Sequence, residues 1–212
     1  MPRIDQDLED IAMQIRPYFM AEDEAREKAL RLCRQVIRHS SSAIRSLHCQ
    51  EQDKARQLLD SAREFVEDMN RALDSHSVLR HSGFVHDAQK EFSEGCITLA
   101  LIVKEPLPKP EALGVDYPAY LNGLGEAVGE LRRYLLDNVR RGDFSRCEEL
   151  LAVMDDVYGV LMAMDFTEVI TRGLRRTTDA IRGIIERTRG DLTVALRQKE
   201  LEVKLDNLAN KL

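Results

Sequence analysis

Apolar and small residues at Ala29, Leu32, Cys33, Val36, Ile37, Ser40, Ala43, Ile44 and Leu47 recur at steps of three and four. That is the period of a helix with one buried face. The pattern predicts a helix from Ala21 to His48, preceded by a shorter one over Ile4 to Arg16 that stops before Pro17. The same period returns at Ala55, Leu58, Leu59, Ala62, Phe65, Val66, Met69 and Leu73. DSHSVLRHSG reads as a turn region, and a helix from Phe84 to Lys104 follows. Pro106, Pro108 and Pro110 end that helix and predict a stiff connector.

A further helix starts near Asp116 and carries Leu121, Leu124, Val128, Leu131 and Leu135 on one face. Arg140 and Arg141 followed by Gly142 mark its end. Ser145 with Glu148 has the spacing of a capping box for the next helix, which runs to about Met164. Another is predicted over Thr167 to Thr188, and a last segment begins at Asp191. In it Leu201, Leu205, Leu208 and Leu212 fall at steps of four and three, a short coiled-coil seam suited to a packing or oligomer contact. No repeat, low-complexity run or linker divides the chain. The expected fold is all-α: one domain over residues 1–212, a bundle of about seven mostly antiparallel helices.

Composition agrees with that class. Of 212 residues, 43% are hydrophobic and 32% charged, with no Trp, six Pro and eleven Gly, a mix that disfavours sheet. No apolar run approaches membrane-spanning length, and the charged opening MPRIDQDLED has no secretory core. Cys33, Cys49, Cys96 and Cys147 are scattered without zinc spacing, as expected of reduced cysteines in a cytoplasmic protein. A net charge of −6 argues against a generally adhesive nucleic-acid binder, so any nucleic acid must meet a local basic face. Arg31, Arg34, Arg38 and Arg45 form such a stripe beside the apolar one, which is either a solvated face or an RNA contact.

KEFSEGCITLALIV departs from a plain bundle. Glu91 and Glu94 stand one turn apart on a helix that becomes almost wholly apolar. In YLNGLGEAVGELRRYLL, Glu126 and Glu130 form an i, i+4 pair away from the leucine stripe, among Gly123, Gly125 and Gly129. Interior glycines each cost about 1 kcal/mol against Ala, a cost accepted where something approaches the backbone closely. Four carboxylates from two neighbouring antiparallel helices can hold Mg²⁺ or Mn²⁺, and such a site suits phosphodiester hydrolysis. A di-iron bundle wants Glu-x-x-His motifs, and none of the five histidines follows a Glu by three residues.

The block VDYPAYLNGLGEAVGELRRYLLDNVRRGDFS, over 115–145, resembles the translin family, in particular its translin-associated factor X (TRAX) branch. AEDEAREKALR and SAREFVEDM are similar to the family's first and second long helices, and the similarity spans roughly residues 5–195. The resemblance implies an all-helical subunit of a closed octameric shell around RNA. In it, TRAX-type chains cut RNA as Mg²⁺-dependent endoribonucleases and translin-type chains mainly bind it. It assigns Glu91, Glu94, Glu126 and Glu130 as the metal-holding catalytic acids, with Glu126 standing where Asp is expected. It also marks Arg26, Arg63, His86 and Lys90 as RNA contacts beside the arginine stripe. The expected partners are RNA, or single-stranded DNA, and further copies of the chain, without a membrane. Two alternatives stay open: a catalytically silent translin-type binding shell, and a helical scaffold without nucleic acid.

Overall fold

A computed structural model describes residues 4–210. Among the described residues there are nine helices and no strand. Six are long: α1 (Ile4–His48), α2 (Gln52–Ala72), α4 (Gly83–Val103), α6 (Tyr117–Arg140), α7 (Cys147–Met162) and α9 (Leu174–Ala209). Three are single turns: α3 (Ser77–Arg80), α5 (Pro110–Leu113) and α8 (Glu168–Thr171). One apolar core joins the long helices, with Phe92, Ile97, Leu131, Leu135, Leu150 and Met154 fully enclosed. From Phe92 to Ala100 every residue of α4 is buried, so this helix forms the centre of the bundle.

Three expected boundaries move. Pro17 does not stop the first helix; α1 passes through it as one element. The surrounding residues are all exposed, so the carbonyl of Met13 that loses its amide partner is within reach of water. Gly190 does not break the last helix either. Arg132 of α6 donates to Thr188 Oγ1 at 2.9 Å and to Asp191 Oδ2 at 2.7 Å, bracketing the glycine, and Leu192 is in the core. The break falls instead at Arg172 and Gly173, both in the left-handed region at φ 51° and 89°. Ser145 does not cap α7, which begins after Arg146. The Asp143 carboxylate accepts the Ser145 N–H at 2.9 Å.

Consecutive long helices alternate in direction with one exception that shapes the site. The proline connector runs back along α2: Arg56 pairs with Glu105 at 2.9 Å, Arg63 donates to the Ala112 carbonyl at 2.6 Å, and Asn70 to the Gly114 carbonyl at 2.8 Å. It therefore delivers α6 to the starting end of α4. Asp116 N–H donates to Gln89 Oε1 at 3.1 Å at that end, while Arg146, just past α6, donates to the Leu101 carbonyl at 3.1 Å at the other. The helices carrying the two acid pairs run in the same direction, not antiparallel.

At its start α1 extends past α2, and Ile4, Leu8, Ile11, Ile15 and Tyr18 continue the buried stripe as an exposed one. Leu201, Leu205 and Leu208 on the end of α9 are likewise more than half exposed; Leu212 lies outside the described residues.

Candidate metal centre

The acid pairs meet because α6 touches α4 backbone to backbone. A Cβ at Gly123 would stand 2.7 Å from the Lys90 carbonyl oxygen, 2.8 Å from Ser93 Cβ and 2.9 Å from the Glu94 nitrogen. One at Gly125 would overlap Thr177 Cγ2 of α9. The close approach anticipated at the glycines is thus made by neighbouring helices, while Gly129 has open space. Gly123→Ala is expected to lose about 1–3 kcal/mol through overpacking, whereas Gly129→Ala gains up to about 1 kcal/mol of helix propensity. Urea unfolding of the two variants checks the opposite signs.

Across this contact one oxygen each from Glu91, Glu94 and Glu126 lies within 4.8 Å of the other two. Glu94 is only 8% exposed and has no hydrogen-bond partner among the described residues. Burial, then the charges of Glu126, Glu91 and Glu130, push its carboxyl up to about 8. Burial and then Glu126 also raise Glu91, against the opposing pull of Lys90. Lys90 Nζ donates to Glu126 Oε1 at 2.7 Å. Burial works against the Lys90 charge, but the Glu126 bond and nearby carboxylates outweigh it and raise its pKa. Once all three acids are ionised, one ammonium against three carboxylates leaves a surplus matched to a divalent ion, and an all-oxygen donor set fits a hard one.

Glu130 is not brought into this cluster. It lies one turn, about 6 Å, further along α6, where the end of α1 stands beside it, and its carboxylate bonds His48 Nε2. Arg133 is 3.9 Å away. Neither His48 nor Ser41 is among the site residues expected from the sequence. Ser41 Oγ stands 3.5 Å from Glu91 Oε2. Their signal was available: Arg34, Arg38, Ser41, Arg45 and His48 fall at steps of four and three, hence on one face. Two of the five touch the acids, so the stripe flanks the cluster.

The other expected RNA contacts divide. Arg31, Arg34 and Arg38 are exposed, and Arg45 is exposed with a bond to Ser42 Oγ at 2.8 Å. Arg26 pairs with Glu27 at 3.0 Å. Arg63 is half-buried, tied to the connector carbonyl and stacked over Phe92 at 5.7 Å, which gives it a structural role in the free protein. His86 is half-buried; burial and then the Arg172 charge lower its pKa.

Together, fold and site define an all-helical protein whose central helix presents two carboxylates that converge with a third from α6, beside an arginine ridge. No family model matches the chain. An uncharacterized protein of Methanocaldococcus jannaschii is 28% identical over 189 residues, covering 89% of this chain and 84% of that one. The crystal structure of AfC3PO is 31% identical with a TM-score of 0.79, covering 91% of this chain and 98% of that one. A structure of AfC3PO with duplex RNA is 32% identical with a TM-score of 0.77, covering 91% and 97%. Apo-NeC3PO, at 17% identity and a TM-score of 0.78 over 92% and 98%, shares the fold. The chain belongs to the translin/C3PO family.

Proposed function

We propose that this chain is a cytoplasmic, TRAX-like endoribonuclease that cuts RNA with a divalent ion, Mg²⁺ or Mn²⁺, inside an oligomeric shell. The observation that carries the reading is the convergence of Glu91, Glu94 and Glu126, with Glu94 buried and without a hydrogen bond among the described residues. These three residues would hold the ion. When bound, it supplies a water of lowered pKa and neutralises charge on the phosphoryl oxygens. Lys90 keeps the cluster from carrying its full repulsion before the ion arrives. Glu130, bonded to His48 and outside the cluster, enters as the acid that takes or returns a proton.

The arginine ridge of α1 supports RNA as substrate, since guanidinium groups bind phosphates without reading sequence. AfC3PO, whose complex with duplex RNA is known, adds support through kinship. The decisive experiment incubates the purified chain with labelled single-stranded RNA, with Mg²⁺, with Mn²⁺ and with EDTA. Cutting that requires the ion is expected. Binding without cutting under either ion would replace this reading by a catalytically silent shell protein that binds RNA or single-stranded DNA. One observation favours that second reading: Glu126, longer by a methylene than the expected Asp, is already engaged by Lys90.

The exposed seams at the start of α1 and the end of α9 support assembly from further copies, with the octamer as the proposed form. Light scattering is expected to return a multiple of the chain mass that persists on dilution. A monomer mass at every concentration, with and without RNA, would remove the shell from the proposal.

A further inference from the structure

The groove beside the acid cluster has a second wall, built by α9. Glu91, Glu94 and Glu126 form one side of a cavity of about 520 Å³, and Arg176, Thr177 and Ile184 stand on the other. Arg176 is exposed and has no ion-pair partner among the described residues, although three carboxylates share its groove. Lys90 already holds the bond to them. A cation that stays unpaired beside acids is available to an anion entering from solvent.

Its mounting is rigid. Thr177 Oγ1 donates to Asn122 Oδ1 at 2.8 Å. Asn122, 3% exposed, donates in turn to the Pro118 carbonyl at 2.8 Å and the Thr171 carbonyl at 3.0 Å. The first turn of α9 is thereby tied to α6 one turn before Glu126. The absence of a side chain at Gly125 lets Thr177 lie on the α6 backbone. These contacts set where the Arg176 backbone stands relative to the acids.

We infer that Arg176 is a phosphate-binding residue of the RNA groove. It grips the phosphodiester next to the one met by the acid cluster, and Ile184 offers an apolar surface to the sugar between them. The inference rests on the nuclease reading for its substrate class. A guanidinium suits the task because it stays charged at any working pH and offers forked donors to phosphate oxygens. Arg175, the adjacent residue, lines a different cavity with Asp165 and Asp179 and serves as the control.

The test uses the full chain and a short fluorescein-labelled oligouridylate, with anisotropy read in EDTA at two salt concentrations. Arg176→Ala is expected to weaken binding about tenfold, the scale of one charged hydrogen-bonded contact. The log–log salt slope should become shallower by about 0.7, one single-strand phosphate contact. Arg176→Lys should keep the slope and recover part of the affinity, and Arg175→Ala should leave the slope unchanged. With Mg²⁺ present, Arg176→Ala should raise KM more than it lowers kcat. Unfolding midpoints should match the parent, since the side chain is exposed; if the alanine variant unfolds early, Arg176→Gln takes its place.

A parental salt slope in Arg176→Ala, or an equal loss in Arg175→Ala, would overturn the assignment. A parent that binds the oligonucleotide but cuts under no divalent ion ends the nuclease reading and leaves the EDTA comparison to decide Arg176. A parent that does not bind overturns both.

Discussion

Glu94→Gln is expected to stabilise the protein above neutral pH while ending metal-dependent cleavage. The sign follows from a folded carboxyl pushed up to about 8 against an ordinary value of 4.5. Below 4.5 the group is protonated in both states and contributes nothing. Between 4.5 and 8 the folded protein binds a proton that the unfolded chain does not, so stability falls as pH rises. Above 8 both states are ionised and the full penalty stands. At about 1.4 kcal/mol for each pH unit, the penalty is on the order of 3–5 kcal/mol.

Glutamine keeps the shape and removes the charge, so urea unfolding at about pH 6 and about pH 9 should diverge in the parent and converge in the variant. Mg²⁺ should reverse the parent's loss at the higher pH, because ligands must be deprotonated to bind it, and should do nothing for the variant. A variant less stable than the parent at both pH values would make Glu94 a structural residue and remove the metal reading.

The second large effect separates cutting from binding. Glu126→Gln should lower cleavage by at least ~100-fold, the scale of losing a group that handles charge at the reacting atoms. Glu91→Gln should do the same. The double variant should lose little more than either alone, because residues that hold one ion act as a unit. RNA affinity should stay near the parent's or rise, since a negative charge has left the groove.

Arg34→Ala with Arg38→Ala should show the converse. Binding weakens and the salt slope becomes shallower by about 1.4, two phosphates at about 0.7 each. Glutamine variants that cut at the parental rate would remove the acids from the active site. An arginine double variant with the parent's slope would leave the ridge as an ordinary solvated face.

Glu130→Gln stands apart in this scheme. His48 is 5% exposed at its side chain and would lose its charged partner, so this variant is expected to lose some stability as well as activity. Metal affinity, measured by calorimetry, should change less than in Glu126→Gln. An equal loss of metal binding in the two would put Glu130 among the ligands after all.

Much of this protein was determined by local pattern. Helical period is a property of a few turns, so α2, α4 and α6 fell within a few residues of their expected bounds. The proline connector, the two acid pairs and the arginine stripe were equally local, since residues three and four apart share a face wherever the helix is placed.

What tertiary structure alone decided were matters settled by residues far apart in the chain. Whether Gly190 breaks a helix depends on Arg132, 59 positions from Asp191. Whether Glu130 joins the acid cluster depends on His48, 82 positions away. The shared direction of α4 and α6 follows from the path of the connector along α2, which no periodicity encodes. That path brings Glu126 to Glu91 and Glu94 and carries Glu130 past them. It is the physical reason why four acids in sequence became three in space, facing an arginine from a helix the acid motifs never mention.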